Sequence, residues 1–241
     1  MRFLSVVFIF VSLIFSSCEL TEDMYSGETV TMVYELKKVS VLQFHDNFNI
    51  QLIQGSVNKL EVVFGDELID NIVYTDFNDT LNLYNYTKAR WLYNFKTPKL
   101  RIHFDTIERI WVYGCCKVWN EDTIKVPELF IWMIDDLDEL DVLVKTNYLN
   151  VYNSNVNTGN YILKGEVDDL NIWSNAAGYY NASHIIAKDV SVRHCSRRDM
   201  RLNVERKLVY CIENSGDIYY KGEPDEIIKG EQLGSGELIP E

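Results

Sequence analysis

The 241 residues carry 36 acidic and 23 basic side chains, a formal net charge of −13. The basic residues are scattered, so this balance argues against a protein that neutralises nucleic-acid phosphates. Aromatic residues make up 13% of the chain and only 4 residues are proline. This composition excludes a disordered stalk and indicates a folded, β-rich protein.

The chain starts with a pattern typical of an exported protein. Arg2 supplies a positive charge, residues 3–15 are apolar apart from two serines, and small residues precede Cys18. This order predicts a signal peptide over residues 1–17. Phe15-Ser16-Ser17-Cys18 resembles the lipobox of bacterial lipoproteins, which implies that Cys18 is lipidated and anchors the protein in a membrane. An ordinary cleavage site beside a cysteine is the alternative.

Residues 18–36 are predicted to form a tether between the anchor and the folded part, because their start is polar and lacks periodic apolar residues. Glu19, Glu22 and Asp23 resemble the acidic export signal that follows the lipidated cysteine in lipoproteins of Bacteroidetes. The resemblance implies a protein that is anchored in the outer membrane and faces the cell surface.

Residues 37–98 are predicted to form an irregular, strand-rich N-terminal part of the fold. Apolar residues alternate with polar ones here, with the period of two that is typical of half-buried strands. The predicted strands are 39–44, 48–53, 59–64 and 80–84, and a further strand, 99–104, begins the regular part.

A longer repeat becomes visible from about residue 108. Six segments share an apolar residue at their first and third positions, and their starts are separated by 19, 20, 21, 20 and 18 residues. The segments begin at Ile110, Leu129, Leu149, Leu170, Val190 and Leu208. A strand that recurs about every 20 residues is typical of a stacked solenoid. The sequence therefore predicts an all-β, parallel β-solenoid (a β-helix), regular over residues 99–225 and followed by a C-terminal tail, 226–241.

Each repeat also contains a second predicted strand, so that every coil has at least two. These second strands are 140–144, 161–164, 184–187, 202–205 and 218–221. The first and third residues of the main strands are expected to face the core: Leu129, Ile131, Leu149, Val151, Leu170, Ile172, Val190 and Val192. A β-sandwich with coincidental spacing is the alternative.

The last coil carries a family resemblance. Glu213-Asn214-Ser215-Gly216-Asp217-Ile218-Tyr219-Tyr220-Lys221-Gly222-Glu223-Pro224 resembles the closing motif of the bacterial head GIN domain, a putative autotransporter adhesin family common in lipoproteins of Bacteroidetes. Asn47-Phe48-Asn49-Ile50 with Gln54-Gly55 resembles its opening strand pair. The resemblance spans roughly residues 37–225, and it implies a right-handed solenoid, export and no known catalytic activity. The family's Gly-Ser-Gly-Asp turns are replaced here, for example by Gly114-Cys115-Cys116-Lys117, so no shared site at the turns is implied.

The sequence contains none of the common catalytic or metal-binding motifs. The four histidines lie in different predicted strands without metal-ligand spacing, and no nucleophile elbow, P-loop or dinucleotide fingerprint is present. We therefore predict no catalytic residue, no metal and no cofactor. Four cysteines beyond Cys18 lack CxxC spacing and are expected to be free thiols, with a disulfide as the alternative because export permits one. They are Cys115, Cys116, Cys195 and Cys211.

Two charge clusters stand out. The acidic cluster of residues 135–141 could in principle hold Ca²⁺, but it lacks the spacing of a dedicated calcium loop and is interpreted as a solvated coil corner. A carboxylate pair for glycoside cleavage is a further alternative. The one basic cluster consists of Arg193, Arg197, Arg198 and Arg201.

Tyr113, Trp132, Tyr152 and Trp173 occupy the same outward position in successive predicted coils. Stacked strands lie about 4.8 Å apart, so the four rings would form a flat aromatic strip roughly 15 Å long. Exposed apolar patches mark interaction sites, and a flat aromatic strip suits sugar rings. The alternative is that the N-terminal segment or a second copy of the protein covers the strip.

These observations predict a non-catalytic cell-surface lipoprotein that serves as an adhesion or glycan-contacting module. A scaffold that docks another envelope protein is the alternative, and a polysaccharide-acting enzyme comes third. The expected partners are a membrane, through the lipid anchor, and a carbohydrate or an envelope protein, but no nucleic acid.

Overall fold

The computed structural model describes residues 26–90, 96–135 and 137–241, and its regular structure is almost entirely β-strand. The described chain contains eighteen strands, and the 3-10 turn Ile69–Asn71 lies between the fourth and fifth of them. The first nine strands are β1 Thr29–Glu35, β2 Val41–Phe44, β3 Asn49–Gln54, β4 Lys59–Gly65, β5 Ile72–Phe77, β6 Thr80–Asn85, β7 Lys99–Phe104, β8 Arg109–Val112 and β9 Lys117–Trp119. The other nine are β10 Ile124–Lys125, β11 Glu128–Met133, β12 Glu139–Asn153, β13 Asn160–Ser174, β14 Tyr179–His194, β15 Met200–Ile212, β16 Ile218–Lys221, β17 Glu226–Gln232 and β18 Leu238–Pro240.

The strands stack into two faces that enclose the core. On the first face, β7, β3, β9, the first halves of β12 to β15, β16 and β18 follow one another in parallel. On the second face, the parallel order is β6, β2, β8, β11, the second halves of β12 to β15, and β17. This arrangement confirms the predicted all-β, parallel solenoid.

From β12 onward a single long strand serves both faces of a coil. The alternation of buried and exposed residues in β12 changes phase between Thr146 and Leu149, because the chain rounds a corner there from the first face to the second. The second set of strands predicted from the sequence therefore corresponds to the first halves of these long strands, except that the last one is the separate strand β16.

The core consists of columns of aliphatic side chains at matching positions of successive coils. On the second face Leu129, Leu149 and Leu170 pair in register, as do Ile131, Val151 and Ile172. All eight residues expected to face the core are at most 3% exposed. Burying side chains of this size stabilises the fold by about 1.5–3 kcal/mol each. Because these side chains are stacked on those of adjacent coils, each coil is stabilised mainly by packing against its neighbours.

The N-terminal part departs from the simple order of coils. β2 and β3 form a coil that lies between the coil of β6 and β7 and the coil of β8 and β9. Three antiparallel strands complete this end: β4 pairs with β7, β1 with β4, and β5 with β6. Residues 29–35 were expected to belong to the tether, but they form β1. The reason is that Val30, Met32 and Tyr34 alternate with exposed residues and pack against the core, while β4 offers an edge for antiparallel pairing.

The C-terminal residues 226–241 are also not a tail. β17 pairs in parallel with the second half of β15, and β18 pairs with β16, so the chain adds strands to both faces. Every residue of β17 is exposed, because no further coil covers it.

Opposite charges on adjacent strands connect successive coils. Six such ion pairs are Lys117–Glu139 (2.9 Å), Lys164–Asp141 (2.5 Å), Lys145–Glu166 (2.6 Å), Lys188–Asp168 (2.6 Å), Arg206–Asp189 (2.5 Å) and Lys207–Glu226 (2.8 Å). Exposed pairs of this kind contribute only about 0.2–1 kcal/mol each. They favour the native register over pairings that place like charges together.

Candidate ligand-contact face

Four aromatic side chains share one outward position on the second face. Trp111 of β8 pairs with Trp132 of β11, Trp132 with Tyr152 of β12, and Tyr152 with Trp173 of β13. We call Trp111, Trp132, Tyr152 and Trp173 the aromatic column. On the next strand, Arg193 of β14 occupies the same position.

Three of the four residues predicted for this column are in it, but Tyr113 is not. Trp132 pairs with Trp111, so β8 is shifted by two residues from the predicted alignment. Both registers bury the same alternating residues, because side-chain direction in a strand repeats every two residues. The apolar pattern therefore could not separate them.

Tyr113 belongs to a second aromatic group beside the column. Its ring stacks on His45 at 4.9 Å, His45 stacks on Tyr84 at 4.4 Å, and the three rings are nearly parallel. Trp111 lies 6.2 Å from Tyr113, edge to face, and connects this group to the aromatic column. The aromatic surface therefore extends further toward the N-terminal coils than the sequence predicted.

The column is not the flat strip that the sequence predicted. The rings of Trp111 and Trp132 lie 6.2 Å apart at 74°, and those of Tyr152 and Trp173 lie 6.0 Å apart at 76°. Edge-to-face packing is favourable because the positive edge of one ring meets the negative face of the other. Trp132 and Trp173 are 40% and 41% exposed, whereas Trp111 and Tyr152 are half-buried.

Half-buried and exposed rings therefore alternate along the column. Trp132 and Trp173 are two strands apart, about 10 Å at the usual strand spacing. Exposed aromatic side chains therefore lie on the outer side of this face, and whether they contact a ligand stays a prediction.

A polar row lies beside the column. Asn150, Asn171 and Ser191 pair in register on β12, β13 and β14, two residues before Tyr152, Trp173 and Arg193. In the described part of the chain, these three side chains make no hydrogen bond to protein. Their amide and hydroxyl groups can therefore bind water or a ligand next to the aromatic rings.

The column ends at a charged group. The Arg193 guanidinium lies 4.9 Å from the centre of the Trp173 ring and donates a hydrogen bond of 2.6 Å to the Glu213 carboxylate. This hydrogen bond holds the pKa of Glu213 below its usual value, so Glu213 is ionised at neutral pH. Burial, together with the nearby Glu213, raises the pKa of the Cys195 thiol to about 11 and keeps it neutral.

Two open depressions flank the column. The first, of about 320 Å³, is lined by Arg109, Trp111, Phe130 and Trp132 together with two glutamates. The second, of about 630 Å³, lies at the Trp173 end and continues onto the turns that follow β12, β13 and β14. Neither is enclosed, so both suit a ligand that lies along the surface.

The acidic cluster of residues 135–141 is divided among separate partners. Asp138 is fully buried, where its carboxylate accepts hydrogen bonds from the Cys116 amide (3.0 Å) and the Asn157 side chain (2.9 Å). Glu139 and Asp141 pair with Lys117 and Lys164 on adjacent strands. Asp136 lies outside the described residues. In the described chain, no three or more His, Cys, Asp or Glu side chains are grouped so that they could hold a metal ion.

The described cysteines are free thiols, as expected. Burial raises the pKa of Cys116 well above its usual value, so this thiol is a poor nucleophile. Cys18 and the acidic residues that follow it lie outside the described residues. Within the described ranges, no helix is long and apolar enough to cross a membrane.

Comparison with known proteins gives one family match and several structural matches. The model of the family described as "Putative auto-transporter adhesin, head GIN domain" matches residues 39–224. A putative adhesin from Bacteroides fragilis superposes with a TM-score of 0.80 at 22% identity, covering 89% of this chain and 97% of that one. A putative adhesin from Parabacteroides merdae gives 0.67 at 14% identity, with coverages of 88% and 97%.

A third similar structure carries a different functional name. It is a putative lipid binding protein from Parabacteroides distasonis, with a TM-score of 0.62 at 17% identity, covering 88% of this chain and 97% of that one. At such identities the likeness supports the fold alone. Among proteins with curated functional descriptions, none matches the chain.

Proposed function

Because the chain belongs to the head GIN domain family, we propose that it is a non-catalytic, lipid-anchored adhesion module at the cell surface whose aromatic column contacts glycans. The adhesin description of the family supports a surface location and a binding role. The lipobox-like Phe15-Ser16-Ser17-Cys18 supports the anchor, and the acidic residues after Cys18 support an outer-membrane position that faces outward.

The alternating exposure of Trp132 and Trp173 is the observation that carries the glycan proposal. Aromatic faces bind the apolar faces of sugar rings, and a spacing of about 10 Å lets two such rings contact every second sugar of an extended chain. Asn150, Asn171 and Ser191 lie beside the rings and offer donors and acceptors for sugar hydroxyls. A surface of rings beside polar side chains fits a glycan better than a purely apolar partner.

A docking scaffold is the second candidate, and one observation favours it. β17 is an edge strand that is exposed along its whole length, with Ile227 and Ile228 43% and 38% exposed. Exposed edges can pair with a strand of another protein. The lipid binding named for one similar structure is a weaker fit here, because both depressions beside the column are open and carry charged residues.

A glycan array probed with the purified full chain in detergent tests the glycan proposal. We expect retention on one class of extended glycan, and we expect Trp132→Ala and Trp173→Ala each to weaken it by tenfold or more. Tyr148→Ala is the matched control, because Tyr148 is an aromatic residue of β12 that is 50% exposed but lies outside the column. Unchanged retention of both tryptophan variants, or equal loss with Tyr148→Ala, would contradict the proposal.

A further inference from the structure

The basic cluster singled out in the sequence is divided by the fold into three engaged arginines and one other. Arg193 is bound to Glu213 and lies over Trp173. Arg198 lies 4.7 Å from the Tyr179 ring and donates a hydrogen bond to Asn160. Arg201 lies 5.1 Å from the Tyr219 ring and pairs with Glu241 at 3.2 Å.

Arg197 is the exception. Its backbone amide bonds to the Ala176 carbonyl, which fixes the turn after β14. Its guanidinium makes no ion pair or hydrogen bond with the described residues, although the side chain is exposed and lines the larger depression. The same depression is lined by Trp173, Arg193, Asn155 and Asn175.

The local charge of this depression is positive in a strongly acidic protein. Arg193 and Glu213 neutralise each other, the Cys195 thiol is uncharged, and Arg197 therefore leaves one net positive charge among the lining residues. The whole chain carries −13. Long-range repulsion from the acidic protein disfavours a polyanion. An unpaired guanidinium in the same depression as an aromatic ring suits a ligand with a single carboxylate.

We propose that the depression at the Trp173 end of the aromatic column is a subsite for a sugar that carries one carboxylate. Trp173 packs against the sugar ring, Arg197 binds the carboxylate as a fork of parallel N–H donors, and the Asn155 amide reaches the hydroxyls. This inference rests on the proposed glycan-contacting function, and it assigns the charge of the sugar and the end of the column at which that sugar lies.

Matched oligosaccharides test the subsite. The probes are a tetrasaccharide that ends in a hexuronic acid and the same compound with its carboxylate as the methyl ester, titrated by calorimetry against the full chain in detergent. We expect the acid to bind at least tenfold more tightly than the ester, because a charge-assisted hydrogen bond is lost with the charge. Arg197→Gln is expected to remove that preference, because the charge that distinguishes the acid from the ester is lost.

Arg109→Gln is the matched control, because Arg109 is an exposed arginine that lines the depression at the other end of the column. It should keep the preference for the acid. Loss of the preference in Arg109→Gln but not in Arg197→Gln overturns the assignment. Equal binding of the acid and the ester also overturns the subsite. So does failure of both probes to bind, if the protein is still retained on other glycans through Trp132 and Trp173. In both cases the proposed glycan-contacting function stands. Retention on no glycan at all contradicts both.

Discussion

At the scale of single residues, Gly165 has a role that only the three-dimensional path of the chain explains. It lies near the corner of β13 with a φ of +110°, and a Cβ there would come within 1.9 Å of the Val144 carbonyl oxygen on the coil below. Gly222 repeats this geometry on a later coil, with a φ of +100° and the Val204 carbonyl at 2.0 Å. These glycines let adjacent coils approach closely at the corner.

We predict that Gly165→Ala lowers the free energy of unfolding by more than about 1 kcal/mol, because alanine is strained at this φ and its methyl group collides with backbone. Gly55→Ala is the control, since no atom lies within 4 Å of a Cβ at that position. Urea unfolding followed by tryptophan fluorescence measures both. Equal stability of the two variants would show that the corner adjusts to a methyl group.

His194 makes stability depend on pH. Its side chain is fully buried, and burial lowers its pKa to about 4, although Asp199 and Asp217 nearby act in the opposite direction. An unfolded chain protonates this histidine near its ordinary pKa of about 6.5. The stabilisation is therefore present above about pH 6.5 and is lost as the pH falls toward 4.

We expect this one group to account for roughly 3 kcal/mol of stability between those two pH values. The measurement is urea unfolding of the wild type and of His194→Leu from pH 7.5 to 4. The carboxylates titrate in both proteins, so the difference between the two curves isolates the histidine. Parallel curves would be inconsistent with a neutral, buried His194.

Inward and outward directions within a strand could be predicted from the sequence, but the conformation of individual rings and turns could not. The alternating pattern identified Leu149 and Ile172 as core residues, because successive side chains of any strand point to opposite faces. The edge-to-face tilt of Trp132 against Trp111 depends on a neighbour 21 positions away, whose register was not known. Gly114 was not distinguishable from Gly165 by residue type alone, although only Gly165 has a positive φ.

At the scale of strands, the register of the second face leads to a prediction about stability. Leu149 and Trp132 lie on adjacent strands, but Leu149 is fully buried and Trp132 is 40% exposed. Leu149→Ala or Ile172→Ala should lower the free energy of unfolding by about 2–5 kcal/mol, because each leaves a cavity in the core. Trp132→Ala or Trp173→Ala should cost about 1 kcal/mol or less, because neither ring fills the core.

Thermal and urea unfolding of the four variants decide whether the aromatic column is open. If the tryptophan variants are as unstable as the core variants, the column is a covered seam, and the ligand-contact face must lie elsewhere. If a tryptophan variant keeps its stability but loses glycan retention, the ring has a binding role and not a packing role. A binding measurement alone could not distinguish the two roles.

Strand positions and the repeat length could be derived from the sequence because each coil has the same short pattern. The register of β8 could not, because this strand has only four residues and a shift of two keeps the same side chains inside. Each of the long strands β12 to β15 was predicted as two separate strands. The hydrogen bonds between coils continue around the corner, so the sequence shows only a shift in the alternation of apolar residues there.

At the scale of the whole molecule, the regular repeat predicted the solenoid but not how its ends are completed. Parallel coils need a partner strand at each end, and here the antiparallel strands β1, β4 and β5 supply it on the N-terminal side. The pairings of β1 with β4 and of β4 with β7 join segments that are far apart in the sequence, and none of these strands belongs to the repeat. The exposed β17 completes the other end.

The orientation of the molecule in the envelope is a further prediction. If the aromatic column contacts glycans outside the cell, intact cells treated with a protease should lose the folded part while a periplasmic marker protein stays whole. Western blotting against the folded part measures this loss. Full protection in intact cells, with digestion after lysis, would place the protein on the inner side of the outer membrane and would contradict a role in adhesion.

Finally, the proposed lipid anchor at Cys18 leads to a prediction about membrane binding. Lipid attachment stabilises membrane binding by about 0.8 kcal/mol per buried CH₂, so the two or three acyl chains of a bacterial lipoprotein suffice for stable anchoring. We predict that the wild type partitions into the detergent phase and that Cys18→Ala partitions into the aqueous phase. Cys211→Ala, which removes a half-buried thiol of the solenoid, should partition like the wild type. If Cys18→Ala stays in the detergent phase, the protein is held by another interaction, and the acidic residues after Cys18 would no longer mark the start of the mature chain.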